Sequence, residues 1–124
     1  MTGPAARAHL VKAQEFLLAA ELTLDQGLFN AAASNAVSCG INAKDTICHS
    51  LTGRSGAHQD HQQAVAELRD SGPAGAALAP TLRRLLALKT KSQYQAAPVG
   101  RAEATRAVEW AGRLHDRALE VVTA

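Results

Sequence analysis

Apolar residues recur along most of the chain at steps of three and four positions, which is the period of an amphipathic helix. No segment combines strand-type alternation with β-branched residues, so the pattern favours helices throughout. Glycine and proline interrupt the pattern at four places and divide it into five segments. These breaks stand at Gly27, at Gly53, at residues 71–73 and at residues 98–100.

Start and stop signals give each predicted helix its limits. The first helix spans residues 4–26 and the second spans residues 29–50, while the third starts near His58 and ends at the break of residues 71–73. Residues 74–79 are rich in alanine, but Pro80 disfavours helical geometry at Ala79. We therefore start the fourth helix at Pro80 and extend it to residue 95, and the fifth helix spans residues 101–122.

Five helices with short connections predict an all-α fold, an up-and-down four-helix bundle with one additional C-terminal helix. A length of 124 residues fits a single domain over residues 1–124. Because 47% of the residues are hydrophobic and 3% are aromatic, small aliphatic residues and alanine must fill the core. The predicted core includes Leu10, Ala13, Leu17, Ala20, Leu24, Phe29, Ala33, Ala36, Val37, Gly40, Ile41, Ile47, Leu51, Val65, Leu68, Leu78, Leu82, Leu85, Val108, Ala111, Leu114, Ala118 and Val122.

The charge balance adds little to this picture. Thirteen basic and eleven acidic residues leave a net charge of +2, which creates no long-range field that compels binding to nucleic acid or membrane. No stretch approaches the roughly 20 apolar residues of a membrane span, and the start of the chain lacks the organisation of a signal peptide. We therefore expect a cytoplasmic protein in which Cys39 and Cys48 are reduced packing residues.

Short polar side chains form a stripe along the second helix, beside its apolar face. Asn35, Ser38, Asn42, Asp45 and His49 recur there at steps of three and four. The stripe has two interpretations, a solvated face opposite the core or a groove or subunit interface. The short side chains slightly favour the second interpretation, because lysine and glutamate are usual on a solvated face. Asn42, Asp45 and His49 are therefore candidate ligand-binding residues.

The segment after the second helix concentrates one guanidinium group and two imidazoles within ten residues. Arg54, His58 and His61 lie between residues 52 and 61. In the structural interpretation, His58 helps to cap the third helix, and Asp60 in its first turn suits the helix dipole. In the functional interpretation, the arginine holds a phosphate while a histidine transfers protons near neutral pH. Both interpretations stay open, for different residues.

A lysine follows the apolar residues of the fourth helix at the same helical spacing. Lys89 occupies the step after Leu82 and Leu85 where a core residue is expected, and Lys91 and Tyr94 follow within a turn and a half. A basic helix end that complements the macrodipole, or a lysine that snorkels to the end of the bundle, explains these residues without a ligand. In the alternative, Lys89 is held beside an anionic group, and Lys91 is a further candidate ligand-binding residue.

Bundle topology brings these segments to one end of the molecule. Short connections place the end of the second helix, the loop after it, the start of the third helix and the end of the fourth at the same pole. The resulting site hypothesis is one cluster that contains Asp45, His49, Arg54, His58, His61, Lys89 and Tyr94. Zinc-binding spacings, glycine-rich phosphate loops and nucleophile elbows are absent from the sequence, so we expect no metal and no cofactor.

With these segments in view, the chain resembles members of the HEPN superfamily, the helical-bundle proteins named for higher eukaryotes and prokaryotes nucleotide binding. The resemblance spans nearly the whole chain and is carried by residues 13–20 with Gly27, by residues 30–36, by residues 53–58 and by residues 85–94 before a final helix. It implies an HEPN-like homodimer with a role in toxin-antitoxin, phage-defence or RNA-processing systems. The implied ligand is RNA or a nucleotide, and a cognate toxin or antitoxin protein is a further implied partner.

The dimer face of such a protein has two candidates in this sequence. One is the surface of small residues on the second helix, formed by Ala32, Ala33 and Ser34. The other is the polar stripe beside it.

The ribonuclease branch of that superfamily uses an Arg, usually followed by a polar residue, and a His four to six residues further on. Two subunits join these motifs into one metal-independent site. Arg54 and Ser55 with His61 meet the spacing, but they lie in the loop after the second helix rather than in the last core helix. Lys89 and Tyr94 lie in the expected helix, where they replace the Arg and the His.

These departures lead to three functional hypotheses. Metal-free RNA cleavage needs a base for the 2′-hydroxyl, a cation for the phosphate and an acid for the leaving oxygen. A tyrosine with its usual pKa of about 10 is a poor base, although Lys89 is a suitable cation and His58 or His61 a suitable proton carrier. The first hypothesis is a module that binds RNA or a nucleotide and carries a degenerate Arg/His motif. The alternatives are a metal-independent endoribonuclease that uses Arg54, His58, His61, Lys89 and Tyr94, and a regulatory or antitoxin-like dimer without a ligand.

Overall fold

The computed structural model describes residues 3–56, 60–94 and 98–124, and for residues 90–94 it describes the backbone alone. This part of the chain forms six α-helices and contains no strand. The helices are α1 (Pro4–Asp25), α2 (Phe29–Thr52), α3 (His61–Asp70), α4 (Pro73–Ala76), α5 (Ala79–Tyr94) and α6 (Arg101–Thr123). The all-α prediction is confirmed, and the helix beyond the five expected is the four-residue α4. None of the described helices is both long and apolar enough to cross a membrane.

A tight turn at Gly27 joins α1 and α2 into an antiparallel hairpin. Gly27 has a φ of +74°, which glycine adopts without strain. The N–H of Gly27 donates to the Leu24 carbonyl at 3.0 Å, and the N–H of Leu28 donates to the Thr23 carbonyl at 2.9 Å. These two bonds form a Schellman motif, which satisfies the last carbonyls of a helix while the chain reverses. The predicted break at Gly27 is therefore confirmed.

The predicted start of the third helix was wrong by three residues. α3 begins at His61, and Asp60 is its N-cap rather than a residue of its first turn. The Asp60 carboxylate accepts a hydrogen bond from the N–H of Gln62 at 2.8 Å, which satisfies one of the unpaired donors of the first turn. His58, the predicted capping residue, lies outside the described residues.

The predicted start of the fourth helix also needs correction, because helical structure precedes Pro80. α5 begins at Ala79, and the short α4 lies just before it. A proline at the second position of a helix removes no intrahelical hydrogen bond, since the first N–H groups have no partner within the helix. The N–H of Leu82 donates to the Leu78 carbonyl at 3.0 Å, which closes the first turn across the proline.

The core is built around α2, which contacts all five other described helices. Most predicted core positions are confirmed, but the alanines of α1 lie deeper than its leucines. Ala13 and Ala20 are fully buried, whereas Leu17 and Leu24 are half-buried. Leu51 was wrongly assigned to the core, since it is 43% exposed in the last turn of α2, where residues 51–54 are all exposed.

The small residues of α2 face the interior of this chain. Ala32 and Ala33 are fully buried, and Ser34 beside them is exposed. Alanine at these positions leaves room for neighbouring helices to pack closely on α2. The two alanines are therefore not available to a second copy, and the small-residue surface was a wrong candidate for the dimer face.

Gly40 marks a close approach between α2 and two other helices. A Cβ at this position would meet the side chains of Leu85 in α5 and Leu114 in α6, and both leucines are fully buried. Because the leucines have little room to move, we expect Gly40→Ala to lower the free energy of unfolding by about 1–3 kcal/mol through overpacking. Urea denaturation measures this change.

Gly112→Ala in α6 is the matched control, because a Cβ at Gly112 meets nothing within 4 Å. The higher helix propensity of alanine is expected to raise the free energy of unfolding by up to about 1 kcal/mol in this variant. If both substitutions stabilise the protein equally, α5 and α6 do not approach α2 as closely as described.

Candidate functional site

A buried ammonium group lies in the second half of α2. Lys44 is 2% exposed, and its Nζ lies 2.7 Å from Glu67 Oε1 and 3.2 Å from Asp45 Oδ1. The hydroxyl oxygen of Ser55 and the carbonyl oxygen of Gly56 accept from the same Nζ at 2.8 Å and 3.2 Å. These five residues, Lys44, Asp45, Ser55, Gly56 and Glu67, are called the lysine cluster.

The lysine cluster ties three segments of the chain together. α2 supplies Lys44 and Asp45, the loop after it supplies Ser55 and Gly56, and α3 supplies Glu67. Glu67 Oε1 also accepts from the N–H of Gly56 at 2.9 Å, and the Ser55 hydroxyl lies 2.6 Å from Asp45 Oδ1. A cation that leaves water must regain its interactions inside the protein, so the cluster fixes α3 and the loop against α2.

Two stacked imidazoles, called the histidine pair, lie beside the lysine cluster. The rings of His9 in α1 and His49 in α2 are 5.5 Å apart and nearly parallel, at 13°. His9 Nδ1 lies 2.9 Å from the amide oxygen of Asn42 and 3.8 Å from Asp45 Oδ2. The Asn42 amide donates to the Ser38 carbonyl at 2.9 Å, which fixes its oxygen toward His9. His9 therefore donates through Nδ1, and in its neutral form it presents Nε2 as an acceptor.

The polar stripe of α2 is covered in part by α1. All five of its members, Asn35, Ser38, Asn42, Asp45 and His49, are half-buried. Three of them contact His9 of α1, namely Asn42, Asp45 and His49. The stripe thus holds α1 in place along part of its length, and its role in ligand binding stays a prediction.

A groove between α3 and α5 contains the predicted residue His61. Its lining combines four apolar side chains with two arginines, a glutamine and a histidine. The lining residues are His61, Gln62, Val65, Ala66, Arg69, Arg83, Leu86 and Ala87. This surface is called the α3–α5 groove. Lys89, another predicted site residue, is half-buried on α5 two positions beyond the last lining residue.

Arg54 lies on another side of α3. It is exposed and lines a shallow groove with Thr52, Gln63, Asp70 and other residues between the end of α2 and α3. The α3–α5 groove contains His61 but not Arg54. Within one chain, Arg54 and His61 therefore line two different grooves.

The side chains of three predicted site residues lie outside the part of the chain that the structure describes. His58 lies outside the described residues, and so do the side chains of Lys91 and Tyr94, although the backbone of both is part of α5. The single cluster of seven residues thus stays a prediction. Across residues 3–56, 60–94 and 98–124, no group of three or more His, Cys, Asp and Glu side chains is arranged to hold a metal ion.

Sequence reasoning missed Lys44, Glu67, His9 and Arg83, although two of them left a signal. Lys44 lies four positions after Gly40 and three before Ile47, which is a core register for α2, so a lysine there implied a buried partner. His9 and Asp45 are equally far from Gly27, and residues equidistant from the turn of a helical hairpin face each other. Nothing in the spacing of Glu67 or Arg83 distinguishes them from ordinary surface charges.

Both cysteines are buried, as predicted. Burial, together with a smaller effect of the nearby Glu21 carboxylate, raises the pKa of the Cys39 thiol from 9.0 to about 12. Burial also raises the pKa of the Cys48 thiol, to about 11, with smaller opposing effects from Lys44 and Glu67 of the lysine cluster. Both thiols therefore stay protonated and unreactive at neutral pH.

The chain matches the model of a known protein family over nearly its whole length. The family model described as HEPN domain matches residues 6–121, from the first turn of α1 to the last turn of α6. No curated protein matches the chain.

Removal of the buried ammonium group tests the lysine cluster. We expect Lys44→Met to lower the free energy of unfolding by about 3 kcal/mol or more, because it leaves the Asp45 and Glu67 carboxylates together without their cation. Urea denaturation at neutral pH measures the loss. Arg69→Met is the control, since Arg69 and Asp70 form a pair in which both side chains are more than half exposed. Its cost is expected to stay below about 1 kcal/mol, and equal costs would contradict the structural role of the cluster.

The raised thiol pKa values predict a loss of stability in alkali. The unfolded chain releases its thiol protons near pH 9.0, whereas the folded chain keeps them to about pH 11 and above. The free energy of unfolding should therefore fall as the pH rises above 9, and it should fall less steeply in Cys39→Ala. Urea denaturation across this pH range measures both slopes. Rapid reaction of the folded protein with a thiol reagent at pH 8 would contradict the burial of the cysteines.

Proposed function

Because the chain belongs to the HEPN domain family, we propose that it is a module that binds a nucleotide or a single-stranded RNA. In this proposal the α3–α5 groove is the binding surface. The observation that carries it is the combination of cationic, polar and apolar side chains that line this groove. HEPN domains are in general related to ribonucleases or to nucleotide binding, so the ligand class agrees with the family.

The two arginines of the groove are suited to phosphate. Arg83 is exposed, and its guanidinium group makes no hydrogen bond or ion pair with any residue that the structure describes. Arg69 contacts Asp70 at 3.2 Å, but both side chains are more than half exposed, so water competes for this pair. A guanidinium group donates two parallel N–H bonds to a phosphate, which makes arginine well matched to this group.

The remaining lining residues are suited to a base and a ribose. Val65 and Leu86 are buried side chains that line the groove, and nucleobases offer flat apolar faces to such surfaces. Gln62 and His61 offer hydrogen-bonding groups for the polar edge of a base or for a hydroxyl. The groove has a volume of about 450 Å³, within the range of roughly 300–1,000 Å³ that is usual for small-ligand sites.

Binding is proposed ahead of cleavage because of the proton-transfer groups. Metal-free cleavage of RNA needs both a base and an acid, whereas the described lining residues of the groove include a single imidazole, that of His61. Arg54 lines a different groove from His61, which supports the interpretation of their spacing as a degenerate ribonuclease motif. Cleavage by an atypical site stays an outcome that the experiment distinguishes.

The remaining proposals concern the setting of this activity. We propose a single domain over residues 1–124, supported by the contacts of α2 with the five other described helices. We also propose a homodimer, because HEPN domains often dimerise. We further propose that the protein acts in the cytoplasm, in a toxin-antitoxin, phage-defence or RNA-processing system. A cognate toxin or antitoxin protein would be a further partner.

Charge reversal at Arg83 tests the binding surface. We expect Arg83→Glu to weaken the binding of a fluorescein-labelled oligouridylate about tenfold or more, because it replaces a phosphate donor with a repelling carboxylate. Fluorescence anisotropy measures the affinity, and competition by adenosine monophosphate shows whether a single nucleotide fills the groove. RNA incubated with the protein in EDTA is followed on a gel in parallel.

Arg84→Glu is the matched control, since Arg84 is the next residue of α5, is also exposed and does not line the groove. It makes the same change in charge and should weaken binding much less. Equal losses in the two variants would show general electrostatic attraction and reject the groove. Cleavage in EDTA that His61→Ala abolishes would replace the binding proposal with the ribonuclease alternative.

A further inference from the structure

The outer face of α1 carries a stripe of large apolar side chains in solvent. Val11, Leu18 and Leu22 are 55%, 59% and 56% exposed. Their spacing of seven and four residues places them on one side of the helix, opposite the buried Ala13 and Ala20. Single exposed apolar side chains are ordinary on a protein surface, but three in line on one helix indicate a surface that another molecule covers.

Two opposite charges stand at the two ends of this stripe. Arg7 and Asp25 are eighteen residues apart, which is five full turns, so they point in the same direction from α1. Both are exposed, and neither forms an ion pair within the described part of the chain. Arg7, Val11, Leu18, Leu22 and Asp25 are together called the α1 stripe.

The α1 stripe is complementary to itself when it is reversed. If two copies of α1 pack antiparallel about a two-fold axis beside the middle of the helix, Arg7 faces Asp25 of the partner subunit. Val11 then faces Leu22 of the partner subunit, and Leu18 lies near the axis between these contacts. Residues on one flank of a helix meet the same flank of the partner in such a pair, so Arg7 and Asp25, which share a flank, are in register.

We propose that a second copy of this chain packs antiparallel against the α1 stripe. This inference supplies a surface for the proposed homodimer, and it rests on that part of the proposed function alone. It takes the place of the small-residue surface of α2, whose alanines are buried within the chain. The α3–α5 groove contains no residue of α1 among its described lining residues, so ligand binding and dimerisation use separate surfaces.

Sedimentation equilibrium of the full chain tests this surface first. The wild-type protein is expected to have a mass near 26.0 kDa, which is twice the 13.0 kDa of one chain. Leu18→Glu should raise the dimer dissociation constant about tenfold or more, because it places a carboxylate at the centre of the contact. Leu119→Glu is the matched control, since Leu119 is an exposed leucine of α6 and is not part of the α1 stripe. Circular dichroism confirms that both variants are folded.

Charge exchange tests the register without any change in the apolar contact. Arg7→Asp and Asp25→Arg should each weaken the dimer, because each places like charges opposite one another. The double variant restores opposite charges at both ends, so it should recover most of the wild-type affinity. A double variant as weak as the two single variants would overturn the antiparallel register.

Cross-linking tests the orientation and does not depend on Leu18. A mixture of Val11→Cys and Leu22→Cys chains should be joined by a short bismaleimide reagent, whereas Val11→Cys alone should not, since antiparallel packing separates the two copies of residue 11. The native thiols are buried and do not compete. Efficient cross-linking of Val11→Cys to itself would indicate parallel packing and overturn the proposal.

The possible failures are distinguishable from one another. A wild-type chain that is monomeric would overturn both the α1 stripe and the proposed homodimer, while the test of oligouridylate binding would stand unaffected. A dimer that Leu18→Glu leaves intact would overturn the α1 stripe and leave the homodimer with another surface. Loss of oligouridylate binding in Arg83→Glu, with the dimer mass unchanged, is the result that the separate surfaces require.

Discussion

The ammonium group of Lys44 has left water, and the geometry at one end of the bundle depends on how it is compensated. Two carboxylates, a hydroxyl and a carbonyl surround it, and they come from α2, from the loop that follows α2 and from α3. An apolar residue at this position would leave α3 with weak anchors, because α3 buries two large apolar side chains, Val65 and Leu68. The cluster therefore sets the position of α3, and with it one wall of the α3–α5 groove. The geometry of the proposed site thus depends on a charge that is not among the described lining residues of the groove.

The fold could be predicted because its signals are local. The turn at Gly27 and the left-handed residue Gly53 end their helices through backbone geometry that nearby residues determine, so the sequence placed both correctly. Errors arose where tertiary packing decides the outcome. Leu51 has the right period for the core but is 43% exposed in the last turn of α2, and α5 begins one residue ahead of Pro80 because a proline is harmless in a first turn. The deeper burial of Ala13 and Ala20 than of the leucines in α1 reflects close helix packing, which periodicity does not show.

The candidate site was less predictable because it depends on contacts between distant segments. Asp45 and His49 were recognised as unusual, but His9 and Glu67 belong to α1 and α3 and meet these residues and Lys44 of α2 only after the bundle forms. Arg54 and His61 were predicted as members of one site because of their residue types, but they line different grooves on either side of α3. Arg83 was overlooked because a surface arginine carries no signal until the opposite wall of its groove is known. Residue types can thus be read from the sequence, but which of them become neighbours depends on the fold.

The hairpin of α1 and α2 also has a consequence for how the chain acquires its structure. Its contacts pair residues that are symmetric about one tight turn, so the chain segments between them are short and the entropy lost in closing them is low. We expect this half to form early, during synthesis, since it is made first and needs only the turn at Gly27 to align it. Until α5 and α6 arrive, the face of α2 that holds Gly40 stays uncovered. The slow step of folding should accordingly be the docking of the second half onto a hairpin that is already in place.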